Sequence, residues 1–295
     1  MTHTESPVSY RVEHVTRYEY SEDVSVSYGR AHLLPRVAHG QTVIASALEL
    51  DPGADELRSH VDYYGNTSTY YTVRRTHRSL RITASSEVEV RRSGTSRAAL
   101  DELTWEAAVA GAADEVGMHE FVLPSPLVRT TASVSEFAAI SFTPGRSLGA
   151  ALTELVDRIH SQFRYVAGST TVRTTLGEVM HRKQGVCQDF AQLLVGCLRS
   201  VGLPARYVSG YIETVPPPGE PKLQGVDASH AWAALGVPGL DWVHVDPTND
   251  QFIDNRYVIA GWGRDYSDVP PLKGVIVTHG ARSAMSVHVD VTRVR

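Results

Sequence analysis

The chain has 295 residues, of which 42% are hydrophobic and 21% are charged, and its formal net charge is -5. This length and composition predict a globular protein with room for two domains that each bury a core. The negative net charge argues against a large basic surface for nucleic acid, and no apolar run is long enough to span a bilayer. The N-terminus lacks a charged region followed by an apolar one. With only two cysteines there is no disulfide framework, so we expect a cytoplasmic protein with neither nucleic acid nor membrane as a partner.

Residues 1–95 are predicted to form an N-terminal antiparallel β domain, similar to a sandwich or a small barrel. The region is rich in Val, Thr, Ile and Tyr, and residues 80–91 show apolar side chains with a period of two. A turn is expected at Tyr64–Thr67. The predicted strands are Tyr10–Tyr20, Thr42–Leu50, Val61–Tyr64, Ser68–Arg75 and Leu80–Arg91.

Residues 96–146 are predicted to be a mainly helical connector, and residues 147–295 a separate α+β core in which helices precede antiparallel strands. The predicted helices of the connector are Leu100–Val116 and Val134–Ile140. Those of the core are Leu148–Phe163, a short helix opened by a capping box at Thr175–Glu178, and Cys187–Val201. The predicted strands of the core are Ala205–Glu213, Ser229–Leu235, Asp241–Asp246 and Leu272–Thr278, and an exposed loop is expected at Pro216–Gly219.

Cys187 is predicted to lie in the first turn of an apolar helix, directly after Gly185 and Val186. A helix N-terminus carries roughly half a positive charge and several free N–H groups. Both favour the thiolate form of a cysteine, which makes it a nucleophile near neutral pH. The same N–H groups can stabilise the oxyanion of a tetrahedral intermediate.

His230 and Asp246 lie on two predicted strands that flank the turn Gly236–Gly239. If these strands form an antiparallel hairpin centred on Pro238, His230 lies directly opposite Asp246, on the same face of the ribbon. A carboxylate there would bind one imidazole nitrogen, fix the tautomer and leave the other nitrogen for a thiol. The register can slip by one residue, which would turn one side chain to the other face.

Other interpretations of these residues stay open. A cysteine can be a buried structural thiol, as expected for Cys197 in the middle of the same helix. His244 shares the predicted face of Asp246 and is predicted to oppose Trp232. A zinc site built from Cys187 and these side chains is a further alternative, but no CxxC or HExxH spacing supports it.

Several stretches around these residues resemble the transglutaminase-like superfamily, in particular its bacterial branch. Cysteine, histidine and aspartate follow one another in the family order, at intervals of 43 and 16 residues. The similarity extends from about residue 8 to residue 280. The matching stretches are Gly185–Ala191, Leu198–Tyr211, Ser229–Trp232, Val245–Asn249 and Gly263–Gly274.

The resemblance implies an N-terminal β region joined to a papain-like core. It implies that Cys187 is the nucleophile, that His230 is base and acid, and that Asp246 orients the imidazole. An acyl group would pass from an amide of a peptide or protein substrate to the sulfur, and then to water or an amine. The calcium sites of animal transglutaminases are not recognisable in this chain, so we expect neither a metal nor a cofactor.

Four further residues are candidates for oxyanion stabilisation or substrate binding. Tyr165 stands where related proteins often carry an upstream aromatic residue, Gln184 and Gln188 are close to Cys187, and Trp232 is a candidate wall of a narrow channel. We favour hydrolysis of a peptide or isopeptide, because indiscriminate cross-linking inside a cell would be harmful. Transamidation of glutamine, a non-catalytic binding protein on the same fold, and the oligomeric state stay open.

Overall fold

The computed structural model describes residues 6–92, 97–214, 228–280 and 282–294. Its α+β architecture confirms the predicted fold class. The loop predicted at Pro216–Gly219 lies outside the described residues. In the described part of the chain, no helix is both long enough and apolar enough to cross a membrane.

The N-terminal region begins with five strands: β1 (Val8–Ala31), β2 (Gln41–Asp51), β3 (Glu56–Val61), β4 (Thr67–Val73) and β5 (His77–Val90). They form an antiparallel sheet in the order β2-β5-β1-β4-β3. The first half of β1 pairs with β5, and its end pairs with β4. The region is therefore one continuous sheet that passes through β1, rather than two separate sheets. Buried residues alternate along β5 from Leu80 to Val90, as the sequence period predicts.

Four short helices follow: α1 (Arg97–Asp101), α2 (Trp105–Ala112), α3 (Val116–His119) and α4 (Ala132–Ser141). The side chains of Thr104 and Thr131 accept hydrogen bonds from the first turns of α2 and α4. The single helix predicted over Leu100–Val116 is therefore wrong. Helix α1 ends at Asp101 and Thr104 caps α2, so the segment is divided among three separate short helices.

The core packs helices on a second antiparallel sheet. The helices are α5 (Leu148–Gln162), α6 (Leu176–Arg182) and α7 (Cys187–Ser200), with the predicted capping box present at Thr175 and Glu178. Two short strands, β6 (Arg164–Tyr165) and β7 (Gln184–Gly185), pair in parallel beside them. The sheet has the order β11-β10-β9-β8-β12 and consists of β8 (Ala205–Ile212), β9 (Ala228–Leu235), β10 (Val243–Asp246), β11 (Gln251–Phe252) and β12 (Tyr257–Gly263). Helix α7 is buried from Asp189 to Arg199, as expected of a central helix.

The last two strands, β13 (Leu272–Thr278) and β14 (Ser283–Arg293), return to the N-terminal sheet. Both pair with β1, and Tyr10 lies opposite Arg293 in this register. The strand predicted at Leu272–Thr278 is therefore present, but in a different sheet. Residues 272–293 belong in space to the N-terminal unit, which corrects the predicted assignment of residues 147–295 to the core.

The two sheets meet along the outer edge of β12. The side-chain amide of Gln41 donates to the carbonyl of Ile259 and accepts from its N–H, both at 2.8 Å. The amide of Asn66 bonds the carbonyl and N–H of Trp262 in the same way, both at 2.9 Å. Two side chains from the N-terminal sheet thus satisfy backbone groups that an edge strand would otherwise leave unpaired.

Replacement of the buried Asn66 by alanine is expected to lower the free energy of unfolding by about 3 kcal/mol, because it leaves the part-buried N–H and carbonyl of Trp262 without partners. Urea unfolding monitored by circular dichroism measures the loss. Ser59→Ala, which removes an exposed hydroxyl of the same sheet, is the matched control. A loss no larger than that of Ser59→Ala would contradict this account of the domain junction.

Candidate active site

Cys187 is the first residue of α7, and its side chain is half-buried. Asp189 fixes the start of this helix, because its Oδ2 accepts from the N–H of Val186 at 2.8 Å and from the hydroxyl of Thr170 at 2.6 Å. A Cβ on Gly185 would lie 2.8 Å from the Cβ of Asp189, so this position requires glycine. The sulfur is therefore held at a helix tip whose first N–H groups have no acceptors within the helix.

His230 and Asp246 are in contact, although the predicted register of their strands is wrong. Val245 pairs with Ala233, which displaces the hairpin by two residues from the predicted pairing. The loop is centred on Gly239, which has a φ of 74°, instead of on Pro238. An even displacement keeps both side chains on the same face. The Nε2 of His230 meets the Oδ2 of Asp246 diagonally, at 2.7 Å.

Asp246 is fully buried and accepts several hydrogen bonds besides that of His230. The hydroxyl of Tyr257 and the Nδ2 of Asn249 each donate to Oδ2 at 2.7 Å, and the N–H of Thr248 donates to Oδ1 at 2.8 Å. Burial alone would raise the pKa of Asp246, but the hydrogen bonds and the nearby imidazole outweigh burial and lower it. The carboxylate is therefore ionised and fixed in position.

The imidazole of His230 lies between this carboxylate and the thiol. Burial alone would lower the pKa of His230, but hydrogen bonds to Asp246 and Cys187 outweigh burial and raise the pKa above its ordinary value. Because Nε2 bonds Asp246, Nδ1 is the nitrogen that remains for the sulfur. The raised pKa favours the imidazolium form of His230 between Asp246 and the sulfur of Cys187.

Replacement of Tyr257 by phenylalanine removes one donor to Asp246 and keeps the ring that packs against Trp232. For a reaction in which His230 acts as the base, we expect the rate to fall by about tenfold, since the loss of one hydrogen bond to a charged group is worth roughly 1.5 kcal/mol. Steady-state kinetics measure the effect. Tyr70→Phe, a half-exposed tyrosine of the N-terminal sheet, is the control and is expected to leave the rate unchanged.

The sulfur and the imidazole open into a cleft of about 300 Å³ between the core and the N-terminal sheet. Core residues on one side include Cys187, Gln188 and His230. The other side is formed by strands β1 and β14. We call these residues the sheet wall: His14, Thr16, Tyr18, Met285 and Val287. The sheet wall carries no acidic side chain, and burial lowers the pKa of His14 to about 4, so His14 is neutral at pH 7.

The four further candidates lie at different places. Tyr165 is half-exposed, and its pKa is raised by burial and by the neighbouring Cys187. Gln188 lies on the cleft. The Oε1 of Gln184 accepts from Arg164 at 3.2 Å, and Gln184 does not appear on the cleft surface.

Trp232 is fully buried, which corrects its prediction as a channel wall. Its ring stacks on His230 with centroids 6.1 Å apart, and its Nε1 donates to the Nδ1 of His244 at 3.0 Å. Trp232 lies on β9 two residues after His230, so both side chains point to the same buried face of the sheet. Trp232 therefore supports the ring of His230, and His244 is a hydrogen-bond partner of Trp232.

Sequence reasoning missed Tyr257, Asn249 and the whole sheet wall. Asn249 lies in the matching stretch Val245–Asn249, so its proximity to Asp246 was open to inference from the turn alone. Tyr257 carried no local signal, since it reaches Asp246 from another strand.

Comparisons with known proteins identify the family of this chain. Residues 10–89 match the bacterial transglutaminase-like N-terminal region, and residues 140–247 match the transglutaminase-like superfamily. An uncharacterised protein of Mycobacterium tuberculosis, Rv2569c, is 45% identical over 290 residues, with 96% of this chain and 92% of the relative covered. An uncharacterised protein of Mycobacterium leprae, ML0607, is 35% identical over 293 residues, covering 96% and 98%.

One solved structure resembles the whole chain. It is a protein of Cytophaga hutchinsonii described as a candidate cysteine protease, with a TM-score of 0.80, 17% identity, and 99% of this chain and 92% of that chain covered. At this identity the likeness shows the fold. Together with the family matches, it establishes that the chain belongs to the transglutaminase-like superfamily.

Proposed function

We propose that this protein catalyses thiol-dependent acyl transfer on amide bonds, with Cys187 as nucleophile, and that its usual outcome is hydrolysis of a peptide or isopeptide. The observation that carries the proposal is the line of contacts from Cys187 through His230 to the buried Asp246, open to a cleft. A nucleophile, a base and an orienting group in this order are the parts that acyl transfer requires.

The first half of the reaction forms a thioester. The Cys187 thiolate attacks the carbonyl carbon of the amide, a C–S bond forms, and the carbonyl oxygen takes the negative charge. N–H groups at the tip of α7 stabilise that charge. The C–N bond then breaks, and His230 gives its proton to the leaving amine. Asp246 stabilises the imidazolium before this transfer and fixes the ring throughout.

The second half returns the enzyme to its starting state. Neutral His230 takes a proton from water, the resulting hydroxide attacks the thioester carbon, and the C–S bond breaks to release a carboxylic acid and the thiolate. If an amine replaces water, the same steps give a new amide. We favour water because indiscriminate cross-linking inside a cell would be harmful, and because Gln188 on the cleft is only half-buried.

In the deciding experiment, the protein is incubated with a glutamine-containing peptide library and a primary amine, and the masses of the products are measured by mass spectrometry. Cleaved peptides, or glutamine converted to glutamate, support hydrolysis. Amine adducts support transamidation instead. If neither product forms while the thiol stays no more reactive than a free peptide thiol, the enzyme proposal fails and the binding alternative replaces it.

The thiol can be assayed selectively, because the second cysteine is protected. Cys197 is fully buried, and burial raises the pKa of its thiol to about 12. Iodoacetamide at neutral pH therefore reports on Cys187 alone. We expect alkylation faster than that of a peptide cysteine, whereas a merely structural thiol would react no faster.

We select Tyr165 as the second oxyanion donor because Cys187 influences its pKa and its ring packs on Phe190 of α7, although Tyr165, like Gln184, is not among the residues that line the cleft. Tyr165→Phe is expected to lower kcat by about 100-fold, as for the loss of one oxyanion donor, with the alkylation rate of Cys187 unchanged. Gln184→Ala is the comparison variant and is expected to have the smaller effect, since Gln184 is bound to Arg164. A larger effect of Gln184→Ala would reassign the donor.

A cytoplasmic location is part of the proposal, because both cysteines are free and a reducing compartment keeps a nucleophilic thiol active. Cell fractionation followed by immunodetection tests it. Recovery of the protein in the extracytoplasmic fraction would refute this location, but it would not contradict the proposed reaction.

A further inference from the structure

A second and larger cavity, of about 550 Å³, lies at the junction of the N-terminal and core sheets, away from Cys187. Its surface combines two buried arginines with aromatic and aliphatic side chains. A volume of this size fits a small organic molecule. The residues that carry the argument are Arg92, Arg206, Trp242, Trp262 and His244.

Arg206 is the central feature of this cavity. Its side chain is only 6% exposed, and its guanidinium lies between two indole rings, 3.6 Å from the centroid of Trp262 and 4.1 Å from that of Trp242. The rings cover both faces of the guanidinium. This stacking leaves the edge of the guanidinium for hydrogen bonding, and the buried Nε has no hydrogen-bond partner among the described residues. Buried donors without acceptors are costly, so an acceptor is expected to occupy this edge.

Arg92 adds a second positive charge that the protein balances only in part. Its guanidinium donates to the carbonyls of Asp254 and Tyr257 and to the side-chain oxygen of Gln41, all of which are neutral acceptors. Burial, Arg206 and Arg92 together lower the pKa of His244 well below its usual value, so both guanidinium groups act on the same small space.

Asp241 is the carboxylate among the described lining residues, and it lies at the mouth of the cavity. Asp241 is largely exposed and bonds His39 at 2.9 Å. Asp241 raises the pKa of Arg206, but burial and the charge of Arg36 outweigh this effect and lower it. The guanidinium of Arg36 stacks on Trp262, 3.2 Å from the ring centroid. The interior therefore carries two buried cations and a neutral imidazole, without a buried carboxylate among the described lining residues.

We propose that this cavity is a binding site for a small organic anion, whose carboxylate or phosphate accepts hydrogen bonds from the edge of Arg206 while its apolar body packs against the aliphatic lining residues Leu240, Val243 and Ile253. A planar anionic group matches the fork of donors on a guanidinium. The site is separate from the catalytic cleft, and the proposal does not depend on the enzymatic one. Trp232 lies between the two, stacked on His230 and bonded to His244.

The test titrates the full-length protein with benzoate and with phenyl phosphate, at constant ionic strength. Quenching of tryptophan fluorescence and the rise in Tm are recorded. Saturable quenching and a higher Tm with benzoate indicate a carboxylate ligand, and the same response confined to phenyl phosphate indicates a phosphate ester. Benzamide has the shape of benzoate without its charge, and it is expected to bind at least tenfold more weakly.

Two variants keep the test decisive if one of them fails to fold. Arg206→Lys keeps the charge but loses the planar fork, and Arg92→Gln removes the second charge. Each is expected to raise Kd at least tenfold. Arg58→Gln removes an exposed charge from β3 and is expected to leave Kd unchanged. The proposal is overturned if neither anion saturates, if benzamide equals benzoate, or if Arg58→Gln weakens binding as much as the cavity variants.

Discussion

Replacement of Cys187 by alanine is expected to abolish amide turnover, with a loss in kcat on the order of 10⁶-fold. The sulfur forms the only covalent bond to the acyl group in the proposed reaction, and Cys187 is the only thiol among the described residues that line the cleft. The side chain is half-buried at a helix tip, so its truncation leaves the core intact. Product formation by mass spectrometry, with circular dichroism to verify folding, measures the result.

Cys197→Ala is the matched control for this prediction. It removes the other thiol, which lies in the apolar face of the same helix. We expect full activity and a loss of about 1 kcal/mol in the free energy of unfolding. Residual turnover in Cys187→Ala comparable to that of Cys197→Ala would rule out the thioester mechanism.

Replacement of Asp246 by asparagine is expected to lower kcat by about 10⁴-fold while the fold is retained. The amide keeps the shape of the carboxylate but removes the charge that raises the pKa of His230. Burial then has only the contribution of Cys187 to oppose it, and the pKa of His230 falls below its value in the wild type. In the wild type the imidazolium persists above pH 6.5, so the descending limb of the pH–rate profile lies at higher pH than in the variant.

The same charge pair makes stability depend on pH. Because the folded-state pKa of His230 is raised, its contribution is complete below about pH 6.5 and is lost as the pH rises through the raised value. Because the pKa of Asp246 is lowered, its contribution is present above about pH 4 and is lost at lower pH. The stability difference between wild type and Asp246→Asn is therefore greatest between about pH 4 and 6.5.

NMR titration of the His230 ring gives a readout that does not depend on turnover. A lower pKa in Asp246→Asn than in the wild type is the expected result. Asp157→Asn, which removes an exposed carboxylate of α5, is the control and is expected to leave the His230 titration unchanged. An unchanged His230 pKa in Asp246→Asn would show that the carboxylate does not act on the imidazole.

Local signals in the sequence were sufficient to place the catalytic candidates. A glycine before an apolar helix placed Cys187 at a helix tip, and a turn between two short strands brought His230 near Asp246. The register was wrong by two residues, because the sequence does not say which residue of the Pro238–Gly239 turn takes the left-handed conformation. A register error of an even number of residues leaves each side chain on the same face of the sheet, so His230 and Asp246 are still in contact.

Long-range pairing was not accessible in this way. Alternation along β1 shows that one face is buried, but it does not identify β13 and β14 as neighbours. The alternation of side chains along a strand likewise predicts that Trp232 shares a face with His230. It does not show that Tyr257, from another strand, packs against Trp232 on that face. The sheet wall and the true position of residues 272–293 therefore appear only in the folded structure.

The pairing of β1 with β14 also sets the order in which the protein becomes functional. Val287 leaves the ribosome about 100 residues after Cys187, and strands this distant in sequence pair late because a long loop must close first. A nascent chain thus carries Cys187 before it has both sides of its cleft. The sheet wall is incomplete until Met285 and Val287 of β14 have been synthesised and paired with β1.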